Sequence, residues 1–276
     1  MPSSYDRFPF LSASGKKQIE KRFIACWPAV NQTLGIPAED LINARRLGCG
    51  NYGCTYLIPN LPPEKSVLKI TTDNLEAHVV NLLTSWGEDK PDGIVHYEGI
   101  WQFGQCSVLP KMRPFVYKAY DRMRQLSIKY YTGLGAPYRP LWLIQREELP
   151  DVPKDVQKLL RAQWAGHGRG TDVLYHLSRW AHEYAMMAGC YPGSPGVPSI
   201  TYKIEDEVLP RLKDVGGEAL MEALKWLYER EIAFFDFQKI ANLGWREGTG
   251  LVIRDIGFAA NTSMGAEDIT RLGGLR

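Results

Sequence analysis

Leu47-Gly48-Cys49-Gly50-Asn51-Tyr52-Gly53-Cys54-Thr55-Tyr56-Leu57-Ile58 is the stretch whose reading decides the fold. Glycines spaced G-x-G-x-x-G open a helix in dinucleotide-binding units, with an acidic residue about 20 positions further on. Here they run into β-branched and aromatic residues, then a Pro62-Pro63 turn, then another apolar run. That context predicts a β-hairpin with the glycines at its tip. A glycine tip lets backbone N–H groups approach an anion closely, but it is also an ordinary hairpin turn. The segment alone is compatible with both.

Working outward, Ile42 to Leu47, Thr55 to Ile58 and Ser66 to Ile70 read as three strands. Val67-Leu68-Lys69-Ile70 sets a lysine inside an apolar strand, where an ammonium is costly unless an anion meets it. An outward-facing lysine on an edge strand is the plainer alternative. Asp73 to Leu83 is helical by period, and Glu76 on it is the natural partner of Lys69. The same glutamate also completes a capping box from Asp73. Ile94 to Phe103 and Leu141 to Gln145 are further strands, separated by the insertion Pro110 to Pro140.

Pro150 and Pro153 mark a change to helical periodicity at Val156 to Trp164, Thr171 to Ala188 and Ile204 to Ile232. The last is expected to break at Gly216-Gly217, and Cys190 to Ser199 is expected to be a loop. Leu243 to Arg246 and Leu251 to Arg254 form a hairpin about Glu247-Gly248-Thr249-Gly250. Near the N-terminus, Lys16 to Val30 carries a helical apolar pattern and Pro37 to Asp40 a short helical turn.

Three polar residues then stand together in the distal part. Phe234-Phe235-Asp236 ends an apolar run, Asn242 follows, and Asp255-Ile256-Gly257 comes just after the hairpin. Two carboxylates and an amide converging on one spot suit Mg²⁺ bridging phosphates. One carboxylate then remains to orient or deprotonate a hydroxyl.

The whole set resembles the protein-kinase-like superfamily, in particular its compact, atypical and small-molecule phosphotransferase members. The matches are Gly48, Gly50 and Gly53; Lys69; Glu76; Asp236 with Asn242; and Asp255 in Asp-Ile-Gly. The resemblance implies an α+β, two-lobed fold with an antiparallel β-rich N-lobe and a mainly helical C-lobe that is truncated at its end. It divides the chain into an N-terminal extension (1–41), an N-lobe (42–146, with the insertion 110–140) and a C-lobe (147–276). Its implied activity is transfer of the γ-phosphate of ATP to a hydroxyl on a small molecule or protein, with Mg²⁺. Gly48, Gly50, Tyr52 and Gly53 would cover the phosphates, and Lys69, oriented by Glu76, would bind them. Glu147 and Leu149 would lie at the adenine hinge. Asp255 and Asn242 would hold the metal, and Asp236 would aim the acceptor hydroxyl.

This chain departs from the pattern at several points. Phe234-Phe235 stand where His-Arg precede the catalytic Asp, Asn242 comes one position late, and the interval from Lys69 to Glu76 is short. Few residues remain between Gly257 and Arg276, so control by activation-loop phosphorylation is not expected. The departures keep a pseudokinase, a nucleotide-binding or scaffolding module without transfer, as the alternative.

Composition sets the outer bounds. The 276 residues are 45% hydrophobic and 23% charged, which excludes wholesale disorder. A net charge of +2 gives no general drive toward nucleic acid or anionic membrane. The insertion is nonetheless basic, with Lys111, Arg113, Lys118, Arg122, Arg124, Lys129 and Arg139 against Asp121 and tyrosines interleaved. Nucleic-acid binding through it is a third possibility that the overall charge disfavours. Five cysteines, odd in number and without C-x-x-C, argue against a disulfide framework and suit a reducing compartment. With no secretory signal and no membrane span in evidence, a cytoplasmic location is expected.

Overall fold

The computed structural model describes residues 24, 26–49, 53–61, 66–71, 74–102, 141–145, 147–161, 173–188, 198–257 and 259–261. The basic insertion, the loop residues Gly50 and Tyr52, and the connection at 162–172 lie outside them. The described residues are mixed α+β, and their contacts divide the chain into two compact units. One comprises 1–81, 97–148 and 264–276; the other comprises 82–96 and 149–263.

The first unit is built on an antiparallel sheet of β1 (Arg45–Cys49), β2 (Gly53–Leu57), β3 (Val67–Thr71), β4 (Tyr97–Gln102) and β5 (Leu141–Gln145). Its order is β1-β2-β3-β5-β4, so β3 is the central strand and β1 an edge. Every residue of β3 is buried, whereas most of β1 is exposed. Leu68 and Ile70 face a cluster that includes Val30 of α1 (Trp27–Leu34) and Leu41 of α2 (Ala38–Ile42). Side chains alternate along a strand, which turns Lys69 to the opposite face.

Two boundaries here differ from the sequence reading. Ile42 ends α2 rather than starting a strand, and β1 begins at Arg45. Pro37 at the N-cap with Glu39 and Asp40 in the first turn starts a helix that carries through buried Leu41. The helix α1 runs past Val30 to Leu34, with Pro28 in its first turn and left-handed Gly35 (φ 67°) as its C-cap.

The second unit holds α4 (Lys154–Arg161), α5 (Val173–Met187), α6 (Pro198–Asp214) and α7 (Glu218–Glu229). It also holds the pairs β6 (Ile232–Ala233) with β9 (Ala260–Asn261) and β7 (Leu243–Arg246) with β8 (Gly250–Ile253). Trp180, Leu224, Tyr228, Phe234 and Phe237 are fully buried in this unit. The division of the chain falls within α3 (Asn74–Ser85). Ile94 and Val95, expected to continue the β4 strand, instead bond to β8: Val95 N–H donates to Ile253 O (3.0 Å), and Ile253 N–H donates to Gly93 O (2.8 Å). The expected loop ends sooner than Ser199. α6 starts at Pro198, whose missing N–H is no loss in a first helical turn.

The break at Gly216-Gly217 falls where expected and has a packing role besides. Gly216 (φ 62°) ends the helical run, and its carbonyl accepts a hydrogen bond from Leu251 N–H (2.7 Å). This brings the Gly216 backbone so close to Gly250 (φ 92°) that a Cβ on Gly250 would collide with the Gly216 carbonyl oxygen. Gly250→Ala is therefore expected to destabilise the second unit by about 2 kcal/mol, combining strained φ with displaced backbone. A urea titration of variant and wild type reads the change in midpoint.

Candidate active site

In the first unit the site begins with Lys69. It sits on the middle strand between Thr55 of β2 and Leu143 of β5, and only 7% of it is exposed. The edge-strand alternative is thereby excluded. Its Nζ donates to Oε1 of Glu76, which is 1% exposed on α3. Glu76 lies in the first turn of α3, where a carboxylate also favours the helix dipole. An ammonium removed from water on a central strand needs this carboxylate.

The hairpin that carries the glycines joins β1 to β2, as its sequence context requires. Gly53 is buried against β3, and a Cβ there would collide with the carbonyl oxygen of Ile70. Gly48 has open space around it, so packing does not call for glycine at that position. Gly50 and Tyr52 lie outside the described residues. Cys49 and Cys54 face each other in the β1–β2 register and are joined by a disulfide with Cα atoms 4.1 Å apart. Cys26 is disulfide-bonded too. These bonds correct the expectation against a disulfide framework. An odd total conceals a pair that hairpin register sets directly opposite. Of the residues expected at a hinge, Glu147 is half-buried, and its neighbour Glu148 pairs with Arg45 (3.2 Å). Leu149 is buried in the second unit, with its side chain against Gly244 of β7.

The second unit gathers the distal residues. Two consecutive 3-10 turns, Asp236–Gln238 and Ile240–Asn242, fold the loop back on itself. Lys239 N–H donates to Asp236 O (3.1 Å), and Asn242 N–H donates to Lys239 O (2.8 Å). The tight turns absorb the extra residue between Asp236 and Asn242. The Asn242 side chain thus returns to Asp236, with Nδ2 donating to the Asp236 carbonyl (2.9 Å) and to Oδ2 (2.7 Å). Both amide hydrogens are used in this way, which leaves Oδ1 of Asn242 as an acceptor.

The residues before Asp236 are held from beneath. Tyr228 Oη donates to the buried Phe234 carbonyl (2.8 Å). The Phe235 ring stacks on Tyr228 (centroids 5.6 Å apart) and on His182 of α5 (4.4 Å). Aromatic stacking thus braces the residue directly before Asp236.

Asp255 follows β8 and is tied to the same loop. The N–H groups of Arg254 and Asp255 both donate to Asn242 O, at 3.0 and 3.2 Å. Gly257 N–H donates to Asp255 Oδ1 (2.9 Å), which aims the carboxylate, while Ile256 is fully buried. Arg254 reaches back from this point, its Nε donating to Ala241 O (3.1 Å) and its guanidinium pairing with Asp151 (2.8 Å).

One participant was not anticipated. Lys239 pairs with both Asp236 oxygens, 2.7 Å from Oδ1 and 3.0 Å from Oδ2. A lysine three residues after the aspartate, within one 3-10 turn, was the available signal. Burial pushes the Asp236 carboxyl above its ordinary value. Lys239 and the Asn242 amide oppose that shift, and the nearby Asp255 charge adds to it.

Asp236, Asn242 and Asp255 are therefore one constellation, and Lys69 with Glu76 is another. Among the described residues no group of three or more His, Cys, Asp or Glu side chains is arranged to hold a metal. The loop carries two carboxylates and an amide oxygen, ligand types that a hard cation such as Mg²⁺ takes. Among the described residues no helix is long and apolar enough to cross a membrane. Comparison of the chain with family models, with curated proteins and with solved structures returned no match.

Proposed function

We propose that the chain is an ATP- and Mg²⁺-dependent phosphotransferase of compact, two-lobed kinase-like fold, acting on a hydroxyl of a small molecule or protein. The observation that carries this reading is the buried Lys69–Glu76 pair on the central strand beside the glycine hairpin. A buried ion pair is a poor way to stabilise a sheet, since apolar residues of similar size do as well or better. It is a good way to keep an ammonium charged and aimed.

In this reading Lys69 binds the α- and β-phosphate oxygens, and backbone N–H groups of the segment from Gly48 to Gly53 cover the phosphates. Asp255 and Asn242 Oδ1 are the residues that would hold Mg²⁺, and the ion when bound would neutralise phosphate charge. Asp236 aims the acceptor hydroxyl and takes its proton, or simply orients it. Lys239 next to it opposes the upward shift that burial imposes on the carboxyl. There is little covalent work for the protein, and the rate comes from positioning and electrostatics.

The test is incubation with ATP labelled separately on the α- and γ-phosphates, with and without Mg²⁺, across alcohol, sugar and peptide acceptors. Mass analysis then locates the label. Transfer of γ-label alone, requiring Mg²⁺ and lost in Asp236→Asn, supports the reading. Mg²⁺-dependent binding without transfer to any acceptor favours a pseudokinase. Transfer of α-label would mean a nucleotidyl transferase.

A further inference from the structure

The cysteine pair at the base of the glycine hairpin is not used by the phosphotransfer chemistry. Cys54 is 1% exposed on β2 within the apolar cluster, and Cys49, half-buried at the end of the otherwise exposed edge strand β1, packs against the same cluster. The bond joins the last residue of one strand to the second residue of the next, around Gly50, Asn51, Tyr52 and Gly53. A loop this short loses little chain entropy on closure, so the disulfide is a weak staple for the fold as a whole. Its local effect is large because of where it sits. Gly53 and Cys54 are fixed by full pairing of β2 with β3 and by the contact of Gly53 with the Ile70 carbonyl. Among the described residues β1 has a strand partner on one side only, and its pairing with β2 shifts register between Arg46 and Gly48. The disulfide therefore ties the loosely held strand to the firmly held one just where the hairpin begins.

We infer that Cys49–Cys54 is a thiol–disulfide exchange site, taking a cellular dithiol as its reductant, that sets nucleotide affinity through the glycine hairpin. The inference rests on the phosphotransferase reading and adds a regulator to that site. A dithiol thiolate attacks Cys49 Sγ, on the more exposed of the two cysteines. The S–S bond breaks, and its electron pair leaves on Cys54 Sγ, which takes up a proton. The second thiol of the reductant then attacks the mixed disulfide, closing its own disulfide and releasing Cys49 as a thiolate that is protonated in turn. The protein gains two electrons and two protons, and the dithiol is oxidised by the same amount. In the oxidised state the hairpin base is preorganised and MgATP binds more tightly. In the reduced state the end of β1 is untied and ordering it on binding costs affinity.

The experiment uses the full chain prepared oxidised and in dithiothreitol, titrated with Mg²⁺ and a non-hydrolysable ATP analogue. Peptide mapping after alkylation reports the Cys49–Cys54 linkage separately. The expected result is a linked peptide in the oxidised sample and affinity weaker by about 3-fold or more on reduction. Cys49→Ser, which leaves Cys54 in the core, and Cys49→Ala/Cys54→Ala are expected to bind like the reduced chain and to ignore dithiothreitol. Melting without nucleotide checks that both are folded. Equal affinity in the two redox states, or no linked peptide in the oxidised chain, overturns the inference and leaves phosphotransfer standing. A dithiothreitol response that persists in the double variant assigns the effect to other cysteines and also overturns it. Failure of both the oxidised and the reduced chain to bind nucleotide sinks the phosphotransferase reading, and redox control of that site with it.

Discussion

Asp236→Asn is expected to lower phosphoryl transfer by about 10²–10⁴-fold, the range typical for a positioned acid–base group. Nucleotide binding should be retained, and the protein should melt no lower than the wild type. The stability half of this result follows from linkage. The Asp236 carboxyl is raised above its ordinary value of 3.8, mainly by burial. A raised carboxyl binds its proton more readily folded than unfolded, so its ionisation at neutral pH opposes folding. The opposition fades as pH falls through the folded value and is gone below the unfolded one. An asparagine carries no such charge and can still accept from the Asn242 amide. The variant's advantage in melting temperature should be largest near neutral pH and close toward pH 3.8. Turnover of the wild type should fall on the acid side at a pH above the ordinary carboxylate range. Calorimetry across pH and a turnover profile read the two halves independently.

Lys69→Met carries the second large effect. It removes the cation that the buried Glu76 carboxylate, 1% exposed, pairs with. Breaking one side of a buried pair costs about 3–5 kcal/mol. Removing Glu76 as well, in Lys69→Met/Glu76→Leu, should restore most of that loss because no buried carboxylate that has lost its ammonium remains. Nucleotide affinity should remain lost in both variants. Stability recovered without binding separates an anchor for phosphate from a strut for the sheet. If the double variant bound nucleotide like the wild type, Lys69 would have no part in the site.

Much of this arrangement was legible in the residues because the signals were local. The glycine run followed by Thr55-Tyr56-Leu57-Ile58 could only open a strand, and the 247–250 turn registered β7 against β8 as its composition required. The pairing of Lys69 with Glu76 was readable as a strand lysine followed by a helix glutamate. That β3 is central was not readable, because its second neighbour β5 comes from beyond the 110–140 insertion. That Asn242 would meet Asp236 was not readable from the spacing, because two 3-10 turns bring its amide within 2.7 Å of Asp236. Turn type at that scale depends on the packing of Phe234 and Phe237 beneath the loop, which no short window of sequence displays. Cysteine counting failed for a related reason, since it sums over the chain while a disulfide depends on which two positions face each other. Ile42 was assigned to a strand from its side chain, although the helix start at Pro37 reaches it.

The thermal melting of the full chain with ATP, in Mg²⁺ and again with the metal chelated, bears most directly on the proposed chemistry. At nucleotide concentrations near a hundred times its dissociation constant, linkage supplies about 2.7 kcal/mol, or a rise of about 5–10 °C for a chain of this size. The account predicts that rise with Mg²⁺, its loss on chelation and its absence in Lys69→Met. An unchanged melting curve, or an equal shift without the metal, would contradict it.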